Sequence, residues 1–126
     1  MKKVLISTFF LLLSGLLQAN VAFADEAQVK KGKQLFMLCQ ACHAYTENAG
    51  MRIGPNLAGI AGSQVGHDKT YAYSAALSGA DFKWTDDKLD AWLQSPVSVV
   101  PGTQMAFAGL QNPEQRAALI AFLKTL

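Results

Sequence analysis

Apolar residues recur at steps of three and four along three stretches of the chain, and this spacing predicts three amphipathic helices. The repeating positions of the first stretch are Val29, Gly32, Leu35, Phe36 and Cys39. A glycine inside a helix lowers the stability of that helix relative to alanine. Gly32 therefore indicates that a second helix approaches the first one closely at this position.

The other two helices carry recognisable start signals. Thr85 is a capping residue followed by two acidic residues, which are favourable in a first turn, and Pro96 predicts the end of this helix. The last helix begins at Asn112, with Pro113 at its first position and Gln115 at the capping-box position. The apolar residues that follow these starts are Leu89, Trp92 and Leu93 in one helix and Leu119, Ile120, Phe122, Leu123 and Leu126 in the other.

Two stretches between the helices show no sustained period. Glycine and proline interrupt residues 44–71, and residues 96–111 form a second irregular stretch around Pro101 and Gly102. Residues 74–78 predict only a short helical turn. Loops of this length are unusual in a compact domain unless they serve a function. We therefore predict an all-α fold class whose long loops carry the chemistry.

The N-terminal segment has the anatomy of a secretory signal. Lys2 and Lys3 give it a basic start, residues 4–17 are mostly apolar, and residues 22–24 have the small-x-small pattern of a cleavage site. The apolar core is shorter than the roughly 20 residues that span a bilayer. We predict a cleaved signal peptide over residues 1–24 and a single domain over residues 25–126, with an uncleaved N-terminal anchor as the alternative.

The signal also accounts for the positive charge of the chain. The full sequence has 11 Lys and Arg residues against 9 Asp and Glu residues, a formal charge of +2. Two of the lysines lie in residues 1–24 and no acidic residue does, so the remaining chain is formally neutral. It contains no basic run, and a nucleic-acid partner is not expected.

The candidate chemistry is concentrated in residues 39–43, which read Cys-Gln-Ala-Cys-His. This spacing is typical of c-type haem attachment. Two thiols three positions apart on a helical turn can both form thioethers to one porphyrin, and the adjacent imidazole can then ligate the iron. We therefore predict one covalent haem c, with its iron, attached through Cys39 and Cys42.

Two other interpretations of the motif are open at this point. A thioredoxin-type dithiol has the same cysteine spacing but begins a helix after a strand, whereas a predicted helix precedes Cys39. A zinc site could use Cys39, Cys42, His43 and His67, although adjacent cysteine and histidine ligands fit ordinary zinc spacings poorly.

From residue 25 onward the sequence resembles class I cytochrome c, the monohaem type of mitochondria and of bacterial cytochromes c2. The matching pieces are residues 31–36, 39–43, 54–57 and 101–109, the single positions Tyr73, Trp84, Leu93 and Pro96, and the C-terminal helix. The resemblance implies the cytochrome c fold, with three main helices plus short helical turns and long loops around one covalently bound haem. It also implies that Gly32 and Phe36 pack against Leu119 and Phe122.

The resemblance assigns roles to residues around the haem. His43 would be the proximal ligand of the iron and Met105 the distal ligand, which leaves no open coordination position. The carbonyl of Pro55 would accept a hydrogen bond from Nδ1–H of His43. The haem propionates would be bound by three donors, namely Tyr73, Trp84 and Thr103.

Three features depart from the pattern of many family members. Ser63 replaces an arginine near a propionate, which lowers the reduction potential unless His67 or Lys69 compensates. Trp92 replaces a tyrosine near the methionine sulfur, where its indole can either donate to that sulfur or simply pack. The lysines around the exposed haem edge of mitochondrial members are replaced here by Val97, Ser98 and Gln104.

The sequence thus predicts a soluble periplasmic electron carrier, not an enzyme, that acts as a monomer without stable membrane insertion. Its expected partners are redox proteins, with a quinol-oxidising complex or a dehydrogenase as donor and an oxidase or another acceptor. We expect docking through apolar contact around Phe107, with a weak dependence on salt. The alternative function is a haem enzyme or sensor, peroxidase-like or gas-binding, in which Met105 is displaceable.

Overall fold

The computed structural model describes residues 25–50 and 52–126. Residues 25–35 are helical and are called α1 here. The elements that follow are a 3-10 turn (Phe36–Leu38), α2 (Ala75–Ser78), α3 (Asp86–Gln94), α4 (Pro96–Val99) and α5 (Pro113–Leu123). Within the described residues the only β-type pairing is an isolated bridge between Gln64 and Lys83. The predicted all-α fold class is confirmed.

The predicted signal peptide over residues 1–24 lies outside the described residues. Across the part of the chain that the structure does describe, none of the helices has the length and apolar character needed to cross a membrane.

Side chains cap the helices at the positions that the sequence indicates. The hydroxyl of Thr85 accepts a hydrogen bond from the amide three residues further on, at 3.2 Å. Oδ1 of Asn112 accepts from the amides of Glu114 and Gln115, at 2.8 and 3.2 Å. The hydroxyl of Ser74 caps α2 in the same way. These bonds satisfy amides that have no partner within the helix, and they fix where α2, α3 and α5 begin.

A short helix occupies part of a segment for which the sequence predicted a loop. α3 ends at Gln94, and Pro96 then begins the single turn of α4. The amide of Val100 donates to the Pro96 carbonyl at 3.0 Å. Because proline has a helical φ and needs no N–H partner in a first turn, it can begin a helix as well as end one. The prediction of an irregular segment over residues 96–111 is therefore wrong for its first four residues.

α1 and α5 cross at Gly32. A Cβ atom added to Gly32 would overlap the backbone oxygen of Ala118 and lie 2.8 Å from Cβ of Phe122. Phe36, which is fully buried, packs edge-on against Phe122 with 5.3 Å between the ring centroids. The close helix approach that Gly32 indicated is confirmed, and the absent side chain is its physical reason.

A buried arginine joins α5 to α3. Nε of Arg116 donates to Oδ1 of Asp90 at 2.8 Å, and the Arg116 side chain is only 8% exposed. Its Nη1 donates to the carbonyls of Leu110 and Gln111, at 2.9 and 3.0 Å. A buried guanidinium is tolerated when its donors are paired. Arg116 therefore holds the end of the 100–112 segment against both helices, a role that helical spacing alone does not indicate.

The long irregular segment over residues 39–74 is held by backbone hydrogen bonds. The amide of Gly54 donates to the Cys42 carbonyl, and the amide of Trp84 donates to the Ser63 carbonyl, both at 2.8 Å. These bonds join the segment to itself and to the residues that immediately precede α3. A cavity lies beneath it.

Candidate functional site

The cavity beneath the segment over residues 39–74 is lined by residues from many separate parts of the described chain. Its volume is about 230 Å³, whereas one water molecule needs only about 10–15 Å³ in such a measure. Protein interiors rarely contain voids much larger than a water molecule. The cavity therefore has the size of a ligand site.

The sequence-predicted site residues gather around this cavity with one exception. The residues of that set that line it are Cys39, Cys42, His43, Pro55, Tyr73, Trp84 and Met105. Thr103 is not among the lining residues, and its hydroxyl accepts a hydrogen bond from the amide of Met105 at 3.3 Å. Because a hydroxyl both accepts and donates, the O–H of Thr103 stays free to donate.

A single backbone turn presents both thiols and the imidazole to the cavity. The amides of Cys42 and His43 donate to the carbonyl of Cys39, at 3.1 and 2.9 Å. Residues three and four positions apart on such a turn lie on the same face. The Cys-x-x-Cys-His spacing therefore brings two sulfur atoms and one imidazole to the same wall of the cavity.

The imidazole of His43 is held in one orientation and one tautomer. Its Nδ1 lies 2.7 Å from the carbonyl oxygen of Pro55, and a carbonyl can only accept, so Nδ1 carries the proton. A Cβ atom on Gly54 would lie 2.5 Å from Cε1 of the ring, so this glycine lets the backbone support the imidazole. Burial lowers the pKa of His43, although the bond to Pro55 opposes the shift. The neutral ring keeps Nε2 for a ligand.

Met105 reaches the cavity on a segment that glycines and backbone bonds position. Gly102 and Gly109 adopt φ values of +88° and +94°, which side chains rarely allow. The amide of Leu110 donates to the Leu93 carbonyl at 2.8 Å, which fastens the segment to the end of α3. Met105 is thereby placed on the lining together with His43, 62 positions away in sequence.

Tyr73 and Trp84 supply polar hydrogens to a lining that is otherwise largely apolar. The Tyr73 oxygen accepts a hydrogen bond from the amide of Asp68 at 3.3 Å, which leaves its own O–H free to donate. Burial raises the pKa of Tyr73, so the phenol stays protonated. Trp84 packs edge-on against Trp92 with 5.1 Å between the ring centroids. Trp92 belongs to the buried core against which Met105 packs.

Ser63 stands where many family members have an arginine, and His67 and Lys69 are the possible substitutes for its charge. The polar atoms of these three residues have different hydrogen-bond partners. The hydroxyl of Ser63 donates to the Ile60 carbonyl, and Nζ of Lys69 donates to the Gly66 carbonyl, both at 2.8 Å. In contrast, Nδ1 of His67 is buried and has no partner among the described residues. A buried nitrogen without a partner is costly. His67 is therefore the one of the three with a hydrogen-bonding atom still to be satisfied.

The Cys39 thiol lacks the lowered pKa that is typical of a reactive dithiol. Burial raises the pKa of Cys39 to about 11, and the neighbouring Cys42 adds to this effect. Reactive dithiols have a lowered pKa because the thiolate is the nucleophile. Nor does the described part of the chain contain three or more His, Cys, Asp or Glu side chains arranged to hold a metal ion. The dithiol and zinc interpretations therefore lose support.

Comparison with known proteins identifies the family. The family model described as cytochrome c matches residues 29–126, which include the whole cavity lining. The chain belongs to the cytochrome c family. The resemblance inferred from the sequence is confirmed, as is the cytochrome c fold.

Individual relatives agree with the family model. A cytochrome c of Guizotia abyssinica is 40% identical over 107 residues, which cover 84% of this chain and 96% of that protein. A cytochrome c2 of Rhodomicrobium vannielii is 41% identical over 95 residues, 75% of this chain and 76% of that protein. Among solved structures, cytochrome cH from Methylobacterium extorquens matches with a TM-score of 0.72 and 36% identity, and the match covers 78% of this chain and 98% of that one.

Members of the cytochrome c family carry a covalent haem c with iron, and this chain attaches it through Cys39 and Cys42. The lining of the cavity fits such a group in its chemistry. Its two thiols and one imidazole are the donors that c-type attachment requires. Its lining is apolar apart from a few oriented donors, as expected for a large flat ring with two carboxylates. The cofactor prediction is thus confirmed, and the protein is a haem electron carrier that works with redox partners.

Proposed function

We propose that this cytochrome c carries single electrons in the periplasm with His43 and Met105 as the two axial ligands of its iron. The observation that carries this proposal is the shared cavity. Met105 lies on the lining together with His43, whereas Met37 is 71% exposed and lies outside it. A neutral imidazole and a thioether are the axial pair of electron-transfer cytochromes c, and the thioether raises the potential.

The protein residues would keep the ligand geometry constant while the charge of the iron changes. The Pro55 carbonyl orients the His43 ring, and the glycine-containing segment over residues 100–110 fixes the position of Met105. When bound, the haem supplies reversible one-electron exchange between Fe(II) and Fe(III). If His43 and Met105 both bind the iron, no coordination position would remain there for a substrate, which favours a carrier over an enzyme or a gas sensor.

The free donors would bind the two haem carboxylates. Tyr73 has a protonated O–H that no acceptor among the described residues takes, and Trp84 brings an indole N–H to the same lining. Thr103 stands beside the backbone of Met105 with its own O–H free. A buried carboxylate is costly without such donors. We propose that these three residues supply them.

Export rests on the N-terminal segment of the sequence. Its basic start, apolar core and small-x-small site support cleavage after Ala24 and delivery to the periplasm. The domain over residues 25–126 would then work there as a soluble monomer. N-terminal sequencing of the protein purified from its periplasmic fraction tests this, and an N-terminus other than Asp25 would contradict the proposed cleavage site.

A substitution at each of two methionines tests the ligand set. Met105→Ala removes the proposed ligand, and Met37→Ala is the matched control because it removes an exposed methionine. We expect the holoprotein with Met105→Ala to bind carbon monoxide and cyanide, to lose the long-wavelength absorption band of methionine-ligated ferric haem, and to have a lower reduction potential. The Met37→Ala protein should behave as the wild type in all three measurements. Unchanged ligand binding in Met105→Ala would overturn the assignment of Met105.

A further inference from the structure

The peptide group between Pro55 and Asn56 takes part in a hydrogen bond at each end. Its carbonyl oxygen lies 2.7 Å from Nδ1 of His43, and its N–H donates to Oδ2 of Asp68 at 2.9 Å. A carboxylate, a peptide group and an imidazole thus form one hydrogen-bonded chain. The chain ends on the ring whose Nε2 faces the iron in the proposed ligand set.

The two carboxylate oxygens of Asp68 have different partners. Oδ1 accepts from the hydroxyl and the amide of Thr70, at 2.6 and 3.0 Å, which forms a local turn. Oδ2 accepts from the Asn56 amide, which is 12 residues away. The local turn does not require this second bond. The Thr70 hydroxyl above all, and then the Asn56 amide, lowers the pKa of Asp68, so that the side chain is ionised at neutral pH.

The ionisable neighbours of Asp68 leave its charge without an ion pair. His67 is near enough for its charge to contribute to the lowered pKa of Asp68. Nζ of Lys69 donates to the Gly66 carbonyl at 2.8 Å, and the Tyr73 oxygen accepts from the Asp68 amide. In the described structure the carboxylate accepts only from Thr70 and Asn56. Its negative charge therefore acts on the Asn56 amide.

A negative charge at the N–H end of a peptide group makes its carbonyl a better acceptor. Resonance couples the two ends of the group, and linked hydrogen bonds strengthen one another by about 10–30%. The 2.7 Å between His43 and Pro55 is short for an N–H···O bond, since about 2.9–3.0 Å is usual. A stronger bond to one ring nitrogen raises the basicity of the other nitrogen as a metal ligand.

We propose that Asp68 is a positioning residue that acts on His43 through the Pro55–Asn56 peptide group and lowers the reduction potential of the haem. The inference rests on the proposed ligation of the iron by His43. A more electron-rich imidazole stabilises Fe(III) more than Fe(II), because the ferric ion has the greater positive charge. No pattern in the sequence indicates this role, since it depends on two turns that meet in the fold.

Replacement of Asp68 by asparagine removes the charge while an acceptor oxygen of similar shape remains. In the holoprotein, Asp68→Asn should raise the equilibrium constant for reduction about threefold, which is about 28 mV at about 59 mV per tenfold change. Asp81→Asn is the matched control. Asp81 is exposed, and its carboxylate accepts from Gln64 at 2.9 Å. It removes the same charge away from this chain of bonds and should change the equilibrium constant less than half as much.

The proton on Nδ1 of His43 gives the most direct measurement. Its NMR frequency in the ferrous holoprotein follows the strength of the bond to Pro55, which a charge elsewhere on the surface affects far less. We expect the resonance to move to lower frequency in Asp68→Asn and to stay in place in Asp81→Asn. An unmoved resonance in Asp68→Asn would overturn the proposal, even with a changed potential.

A substitution at Thr70 separates the charge of Asp68 from the structure of its turn. Thr70→Val removes the hydroxyl bond of 2.6 Å but keeps the carboxylate and the Asn56 amide. With one donor fewer, the carboxylate should polarise the Asn56 amide at least as strongly. Reduction should therefore become no more favourable, and the Nδ1–H resonance should not move to lower frequency. If Thr70→Val reproduces both changes of Asp68→Asn, loosening of the turn causes them and the proposal is wrong.

The ring protons of His43 separate failure of this inference from failure of the proposed function. In the ferrous protein, the ring current of the haem shifts the protons of an axial imidazole far to low frequency. Such shifts together with an unmoved Nδ1–H resonance in Asp68→Asn would reject the role of Asp68 alone. Their absence in the wild type would instead reject His43 as a ligand, and with it the proposed ligand set.

Discussion

At the scale of single residues, His67 is notable for a hydrogen-bonding atom that its surroundings leave unsatisfied. Its Nδ1 is buried without a partner in the described structure, and Gly66, its neighbour in sequence, lines the cavity. Ser63 and Lys69 already use their polar atoms on backbone carbonyls. Of the two residues that the sequence offered as substitutes for the missing arginine, only His67 has a buried nitrogen that lacks a partner. We expect this nitrogen to donate to a haem carboxylate.

Replacement of His67 tests this expectation. His67→Leu should lower the reduction potential, because the carboxylate loses a donor and its negative charge then stabilises the ferric state. The decrease should amount to tens of millivolts, since a one-electron couple shifts by about 59 mV for each tenfold change in equilibrium. Lys69→Gln is the control, and its potential should stay near the wild-type value in potentiometric titration. Equal potentials for His67→Leu and the wild type would exclude the role.

Asp68 makes stability depend on pH. Its carboxylate accepts hydrogen bonds from the Thr70 hydroxyl, the Asn56 amide and the Thr70 amide, at 2.6, 2.9 and 3.0 Å. The Thr70 hydroxyl above all, and then the Asn56 amide, lowers the pKa of Asp68 below its usual value. Because the pKa is lower in the folded state, the stabilisation is present above about pH 4 and is lost as the pH falls through the folded pKa.

The Asp68→Asn variant should accordingly show a weaker dependence of unfolding free energy on pH below about pH 4 than the wild type. It should also be less stable at pH 7, by about 1 kcal/mol or less, because solvent screening weakens hydrogen bonds to a partly exposed charged group. Denaturant titrations at several pH values measure both effects. Glu47→Gln, at an exposed position, is the control and should keep the wild-type profile. The same profile in Asp68→Asn would disprove the linkage.

At the scale of elements, the segment over residues 100–110 depends on Gly109. A Cβ atom added there would overlap the carbonyl oxygen of Gln94 at the end of α3, and φ is +94°. The neighbouring Leu110 amide bonds to Leu93. This one position therefore determines how closely the segment that carries Met105 can approach α3.

Gly109→Ala should destabilise the holoprotein by about 3 kcal/mol, because it combines a steric overlap with a strained φ. Gly59→Ala is the matched control. Gly59 also has a positive φ, of +68°, but open space around it, so that its substitution should cost only about 1 kcal/mol. Denaturation midpoints measure both. Carbon monoxide binding by Gly109→Ala, but not by Gly59→Ala, would show that Met105 had been displaced with its segment. An equal loss of stability in the two variants would contradict the role of the Gln94 contact.

At the scale of the whole molecule, stability depends on the haem. An unfilled apolar cavity leaves its lining without the packing contacts that stabilise a protein interior, and this lining includes core residues of α3 and α5. Small proteins are stable by only about 5–15 kcal/mol. In addition, the irregular segments over residues 39–74 and 100–112 both contribute residues to the lining of this space, and neither contains a helix.

Without haem the chain should therefore lose most of its helical signal. Circular dichroism of the Cys39→Ala/Cys42→Ala protein, produced without haem, measures this. Addition of haem to that protein should restore part of the helix content, because the cavity is then filled even without thioethers. Native helix content in the haem-free protein would contradict this prediction.

Local rules of sequence were enough to predict α1, α3, α5 and the haem-attachment turn. Periodicity, capping at Thr85 and Asn112, and the spacing of Cys39, Cys42 and His43 each act within a few residues along the chain. Such signals can be read without knowing the fold. Even the crossing at Gly32 was predictable, because a glycine on an apolar helix face has few explanations besides close approach. The family resemblance added Met105, whose position no local pattern fixes.

The tertiary structure alone decided the features that require distant parts of the chain to come into contact. Pro96 begins a helix where the sequence allowed an end, because either outcome satisfies the local rule. Arg116 is buried only because Asp90 and the Leu110 carbonyl meet it. Likewise, the Asp68 carboxylate accepts from the Asn56 amide because the fold brings their turns together. Exposure and pairing are properties of the packed molecule, and a single sequence does not contain them position by position.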